Sequence, residues 1–519
     1  MDDESPIGDI REFAARLQQS LREDGGEGRE RWRTAVEDGL TGAYATGDVV
    51  ALSDVVQAIV SILDAQGKFR EGVSEIGHAI ALAGEEPNAL AMLNSMSGTL
   101  LAACGDMGGA RRAVTEAEGA ALRADMPFAV AKCRLNCTVE RLLALDSAVG
   151  VAGGFGLEAP GDARSADALF LMSYLIPYQL ASGARADARP WLRTFRLQSA
   201  AAKHPYRLAD TRVFEAAEAA IADPFETLDF GEIPRWNWLA NWRAEVLRFR
   251  QLVLRRSWAE AEASLTMLFR ARRRAGDAQL DSIDGFEMLL MALTERTDPL
   301  RADVPLPESV HLLNLPSVLA AAEAVALDGT QHAAAVWYRW FASKLPPWIA
   351  TSMEWPVSRW RIQALLALRS GNERAAKHDF EHAVGWATDA GYPIELAAAQ
   401  LQLSELLRQR LSGAEHIWRA LREKGADGLR LAGLDAAVFA YAVARTVPSA
   451  GKYSLRSPLT SRETETLGYL AEGLSYRAMG DQMGIKWTTV QTLAHRCYEK
   501  LEASGRQAAV ARARELGLL

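Results

Sequence analysis

The chain has 519 residues, 49% apolar and 24% charged, with a formal net charge of −8. That length exceeds what one hydrophobic core serves, so two or more domains, or a repeat array with an added module, are expected. The acidic balance excludes a positive field over the whole molecule, and any nucleic-acid binding must come from a local patch.

The opening residues, MDDESPIGDI, lack the basic start and apolar run of a secretory leader. The most apolar window, Ala168 to Ala181, is too short and too polar to cross a bilayer. The four cysteines, Cys104, Cys133, Cys137 and Cys497, are too sparse for a disulfide scaffold. Cys133 and Cys137 lie one helical turn apart and read as two buried thiols. A cytoplasmic protein with no membrane association is expected.

Residues 7 to 446 read almost entirely as helix. Apolar residues recur at three and four, as in Leu289, Leu290, Ala292 and Leu293, and alternating strand patterns are nearly absent. Short turns holding Gly or Ser, each followed by an Ala-rich helix, recur at Gly67, Gly105, Gly183, Ser257, Gly329, Gly371 and Gly413. Their successive spacings are 38, 78, 74, 72, 42 and 42 residues. These are one or two multiples of about 36 to 42, the period of one helical hairpin per repeat. Such hairpins bury their apolar faces only by stacking on neighbours.

The segment Gly371 to Leu407 carries the pattern most fully: a turn, a helix with Ala375, Phe380, Ala383 and Ala387, then Gly391, Pro393 and a second helix. It resembles a degenerate tetratricopeptide repeat of the kind found in large bacterial regulators that end in a LuxR-type module. The clustered tryptophans at Trp236, Trp238 and Trp242, and from Trp337 to Trp360, read as packing between helices, with a ligand or peptide groove as the functional alternative. The Pro-containing stretch Asp223 to Trp236 reads as a cap or division of the array.

Chemistry is sparse. Gly67-Lys68 and Gly451-Lys452 are followed by Phe69 and Tyr453, so neither forms a phosphate-cradling loop. The run HDFEH, His378 to His382, fits a zinc-protease pattern in letters. It lies inside the best repeat, where Phe380 and Ala383 face the core and His378 and Glu381 face solvent, and no third ligand can be named. No catalytic residue, cofactor or metal is therefore expected, and the chain is not read as an enzyme.

Residues 447–458, with two prolines, a glycine and three serines, read as a linker between the region 1–446 and a module at 459–519. Thr460 and Glu463 form a capping box at the first helix, with Leu467, Leu470 and Ala471 as its core stripe and Gly473 as its end. Ser475 caps a second helix with Met479 and Met483 inside. Gly484 makes the turn, and a third helix runs from about Trp487 to Leu501, burying Val490, Ala494, Cys497 and Leu501. A fourth follows Gly505, with Ala509 and Val510 inward. Helix, glycine turn, helix is a helix-turn-helix.

LTSRETETLGYLAEGLS, then TTVQT, then EKLEASGRQAAV resembles the LuxR-type (GerE-like) DNA-binding module over nearly all of the last 61 residues. The resemblance implies that the third helix, near 487–501, lies in the major groove of double-stranded DNA. Its base-reading positions fall on Gln491, Thr492 and His495, with Thr489 at the backbone. With Val490 and Ala494 inward, the helix period also turns Thr488, Gln491, Thr492 and His495 outward. Arg477, Lys486, Arg496, Lys500 and Arg506 are candidates for phosphate contact.

The chain departs from the family at Gln491 and Leu493, where Lys and His are usual, at Tyr476 and Ala478, and at Lys486, which replaces a capping Ser. From Arg456 onward nine basic and seven acidic residues give +2, leaving −10 for the remainder.

The expected fold is all-α: a tetratricopeptide-like α-solenoid followed by a four-helix LuxR-type helix-turn-helix domain. The expected function is a bacterial DNA-binding transcription regulator. Its array receives an unknown small-molecule or protein effector, and a homodimer forms on DNA through Arg506 to Gly517. The alternative is a protein-interaction scaffold whose helix-turn-helix no longer reads DNA.

Overall fold

The computed structural model describes chiefly residues 67–146, 166–202, 205–223, 237–275, 284–294, 306–410, 415–436, 459–501 and 505–515, with a few isolated positions between them. The linker expected at 447–458 and the turn expected at Gly413 lie outside the described residues. So do most of Asp223 to Trp236 and of the residues before Gly67. Among the described residues there are twenty helices and no strand.

The helices are α1 (Phe69–Ala83), α2 (Pro87–Ala103), α3 (Met107–Ala121), α4 (Pro127–Leu143), α5 (Ala166–Ala181), α6 (Arg185–Ala202) and α7 (Pro205–Ala222). They continue as α8 (Trp238–Arg255), α9 (Trp258–Ala275), α10 (Asp284–Thr294), α11 (Leu315–Asp328), α12 (Gln331–Lys344) and α13 (Arg359–Arg369). Then come α14 (Glu373–Ala390), α15 (Pro393–Arg410), α16 (Glu415–Leu431), α17 (Ser461–Ala471), α18 (Tyr476–Met483), α19 (Trp487–Lys500) and α20 (Arg506–Glu515).

The starts and stops are written locally. Proline opens α2, α4, α7 and α15, where its missing N–H costs nothing. Asp106, Asn237, Thr330, Ser358 and Asn372 each accept an N–H three residues on, at 2.8 to 3.4 Å.

Several helices end in one hydrogen-bond pattern. At α2 the Gly105 N–H donates to Ala102 O and the Asp106 N–H to Leu101 O. The same pair of bonds closes α5 at Gly183 and α13 at Gly371. The pattern requires a left-handed residue, and these glycines have φ between 81° and 86°. Two further ends use it without glycine, Leu145 after α4 (φ 55°) and Arg256 after α8 (φ 59°). Leu145 falls about midway between Gly105 and Gly183. It halves the spacing of 78 residues between those two glycines. Ser257, the turn residue that the sequence pattern predicts, stands one position past the left-handed Arg256.

Packing follows sequence order. Most helices pair with the next one along the chain, α2 also packs on α4, and α17 packs on α19. Close crossings rely on glycine: a Cβ on Gly425 of α16 would lie 2.7 Å from both Ala397 O and Leu401 N of α15. In α14 burial falls on Ala376, Phe380, Ala383 and Ala387, with Ala375 only half-buried. His378, Glu381 and His382 are exposed there, and the His382 ring meets Trp360 edge-on at 4.6 Å. Leu289, Leu290 and Ala292 are buried and Leu293 partly so. Of the clustered tryptophans, Trp238, Trp242, Trp337, Trp340 and Trp355 are core residues, while Trp348 and Trp360 are half-buried.

The chain divides into two units. One comprises Met1–Ile283, Glu308–Val318 and Trp348–Pro356; the other comprises Asp284–Pro307, Leu319–Pro347 and Val357–Leu519. Within the first, Arg243 pairs with Glu354 at 3.0 Å in the core and lies over the Phe214 ring. Within the second, buried Arg361 meets Glu395 at 2.7 Å and Glu323 at 3.3 Å. Burial would lower the Arg361 pKa, but the two carboxylates outweigh it and hold the guanidinium above its ordinary value. Among the described residues, no helix is long and apolar enough to cross a membrane.

Candidate nucleic-acid interface

The last four helices form their own core. Leu467 and Leu470 of α17, Met479 and Met483 of α18, Val490, Ala494, Cys497 and Tyr498 of α19, Leu501, and Ala509 and Ala513 of α20 are buried together. The inward residues expected of the third helix are thus inward. Two expected core residues differ: Ala471 is only half-buried, the buried α17 stripe being Glu463, Thr466, Leu467 and Leu470, and Val510 packs at the rim.

Thr460 and Glu463 make the reciprocal capping box, with the Thr460 N–H donating to Glu463 Oε2 at 2.6 Å. The same oxygen accepts from Lys500 Nζ at 2.7 Å, which ties the start of α17 to the end of α19. The Cys497 thiol donates to Glu463 O at 3.3 Å, and burial pushes its pKa up to about 12, so it stays protonated and unreactive. Ser475 caps α18 by accepting from the Ala478 N–H. Gly484 ends α18 at φ 65°. At Gly480 a Cβ would stand 2.8 Å from Ile485 O and 3.3 Å from Trp487 N, so α18 and the start of α19 approach too closely there for any side chain.

With Val490, Ala494 and Cys497 held inside, the opposite side of α19 is open. Thr488, Thr489, Gln491, Thr492, His495 and Arg496 are exposed, as are Lys486 before the helix and Arg477 on α18. The Thr492 hydroxyl donates to Thr488 O at 3.0 Å, which leaves its oxygen as an acceptor and its methyl as an apolar contact. The His495 ring stands edge-on to Tyr498 at 5.9 Å. Lys486 provides no side-chain cap for α19, whose first-turn N–H groups carry the positive end of the helix dipole.

Two of the candidate phosphate contacts are engaged inside the module. Lys500 is bound to Glu463 with its side chain 20% exposed. The Arg506 guanidinium donates to Leu470 O at 2.8 and 3.0 Å, closing the carbonyl end of α17. Charge and position along a helix cannot separate a cation aimed at solvent from one aimed at a buried carboxylate on another helix. Sequence also passed over two features. Tyr476, seen only as a departure, places its hydroxyl 3.1 Å from that of Tyr498 and links α18 to α19. Trp487, seen only as a helix start, is 48% exposed. The helix period alone leans position 487 toward the buried side. It is open because it precedes the first core layer.

Residues 457–513 match the family of bacterial regulatory proteins, luxR family. No curated protein and no solved structure matches the chain. The four-helix module is thus a luxR-type helix-turn-helix domain, a DNA-binding module of the class that regulates transcription.

Proposed function

We propose that this chain is a bacterial transcription regulator that places α19 in the major groove of double-stranded DNA. One observation carries the reading: the exposed row Thr488, Gln491, Thr492 and His495 lies opposite the buried row Val490, Ala494 and Cys497, in a segment that matches the luxR family. Gln491 is suited to a bidentate bond with adenine, and Thr492 to an acceptor contact or a thymine methyl. Thr489, Lys486, Arg496 and Arg477 serve the phosphates.

In this reading the helices of 1–446 form a tetratricopeptide-like solenoid that receives a small-molecule or protein signal in the cytoplasm, and 447–458 links it to the module at 459–519. One recognition helix spans few base pairs, so the chain acts as a homodimer on a two-fold site, paired through the last helix.

Genome-wide mapping of DNA bound by the full-length protein, followed by footprinting, tests this. Gln491→Ala should relax the sequence preference while leaving thermal unfolding unchanged. A Gln491→Ala protein that footprints like the parent would refute the groove assignment.

A second reading, a protein-interaction scaffold, is favoured by the engagement of Lys500 and Arg506 within the module, which leaves fewer cations for phosphate. Full-length protein that protects no genomic site above nonspecific binding would support it.

A further inference from the structure

We propose that Trp487 is a specificity residue that contacts the C5-methyl group of a thymine, roughly one or two base pairs from the base met by Gln491. This rests on the reading of α19 as a major-groove helix and deepens it.

Among the described tryptophans, Trp487 is the one exposed: the others are buried or half-buried. Its half-exposed indole is a large apolar surface open to contact at the start of α19. Its surroundings identify the partner. Lys486 precedes it, Thr488 and Thr489 follow, Gln491 stands one turn on, and no acidic side chain occurs on α19 before Glu499. A protein-docking patch would continue into further exposed apolar neighbours, but the nearest candidates, Ile485 and Leu493, are packed against the module core. A lone apolar group within a polar and cationic rim suits a polyanionic groove.

Position narrows the contact further. The N-terminal residues of a recognition helix approach the base edges most closely, and Trp487 is the first residue of α19. Indole offers no hydrogen-bond acceptor, so it cannot read an amino group on a base edge. The apolar feature of the major groove is the thymine methyl. Trp487 and Gln491, at i and i+4, share one edge of the helix, about 6 Å apart along its axis, against about 3.4 Å between base pairs. They therefore meet nearby but different bases, and the preferred half-site carries a thymine close to the adenine taken by Gln491.

The test uses full-length protein and sites selected from a random DNA library. Replacing the key thymine by deoxyuridine removes only the methyl group, and wild-type affinity should fall about fourfold, the value of one buried methylene-sized group. Trp487→Ala should lose at least as much on thymine DNA and bind thymine and deoxyuridine sites equally. Trp487→Phe should keep much of the discrimination. Because the indole is half-exposed, thermal unfolding of both variants should match the parent, which controls for misfolding.

The inference is overturned if Trp487→Ala binds thymine DNA like wild type. It is equally overturned if the variant is weaker but still discriminates thymine from deoxyuridine as wild type does, since the indole would then touch sugar or phosphate. Wild-type protein that selects no sequence would instead remove the groove reading, and this inference with it.

Discussion

Glu463 makes three links in the module through its carboxylate and its backbone carbonyl. The carboxylate completes the cap of α17 and accepts the Lys500 ammonium, and the carbonyl accepts the Cys497 thiol, all with almost no exposure of the side chain. Burial alone would raise its pKa; the hydrogen bonds from Lys500 and Thr460 and the Lys500 charge outweigh burial and hold it below the ordinary 4.5. A carboxyl depressed in the folded state stabilises above its unfolded value and loses that contribution as pH falls through the folded one. The module should therefore weaken from about pH 4.5 downward, and Glu463→Gln should flatten that dependence, as read by thermal unfolding against pH. Lys500→Ala should cost about 1–3 kcal/mol of stability, because it leaves a nearly buried carboxylate short of a partner. On DNA the same variant should keep the parent's salt dependence. At Arg256 the strain is in the backbone: a non-glycine residue in the left-handed region costs about 1–2 kcal/mol. Its side chain is exposed, so Arg256→Gly should raise stability by about 1 kcal/mol in urea unfolding. Leu145→Gly should bring no such gain, since the buried Leu145 side chain would be lost.

At the level of helices, small residues decide how closely neighbours pack. Gly425 and Gly428 let α16 approach the backbone of α15 at Ala397 and Leu401. Alanine is the better helix former by about 1 kcal/mol, so on an open helix Gly425→Ala would stabilise. Here its methyl would meet a carbonyl oxygen and an amide nitrogen, neither of which can swing aside as a side-chain end can. Clash should win, and Gly425→Ala should destabilise by about 1–3 kcal/mol, measured by chemical unfolding of the full chain. In the module, Gly480 plays the same part between α18 and the start of α19. That contact fixes the angle at which α19 leaves the turn, so a side chain there would disturb the interface as well as the fold.

For the molecule as a whole, charge separates the acidic bulk from a slightly basic end. With Lys500 and Arg506 engaged internally, Arg477, Lys486 and Arg496 remain as exposed cations on α18 and α19 or beside them. Three phosphate contacts per protomer, doubled in a dimer, give a slope of log K against log salt of about −5 at roughly 0.9 per contact. Five contacts per protomer would give about −9. A salt titration of the full-length protein on a selected site separates the two, and a slope near the larger value would mean that Lys500 or Arg506 leaves its internal partner on DNA.

The helical class, the capping signals and the buried row of α19 are legible in the order of amino acids alone. Each depends on residues within one or two turns of each other, where backbone geometry leaves few choices. Thr460 with Glu463, Ser475, Gly484 and the Val490–Ala494–Cys497 spacing are of this kind, and all lie within the residues that match the luxR family. Tertiary structure alone decided which cations face outward, because Lys500 and Arg506 find partners 37 and 36 residues away. It decided too that Leu145 and Arg256 accept a left-handed turn that glycine adopts more easily, since the closing bonds and the packing beyond them repay a local strain that propensity would forbid.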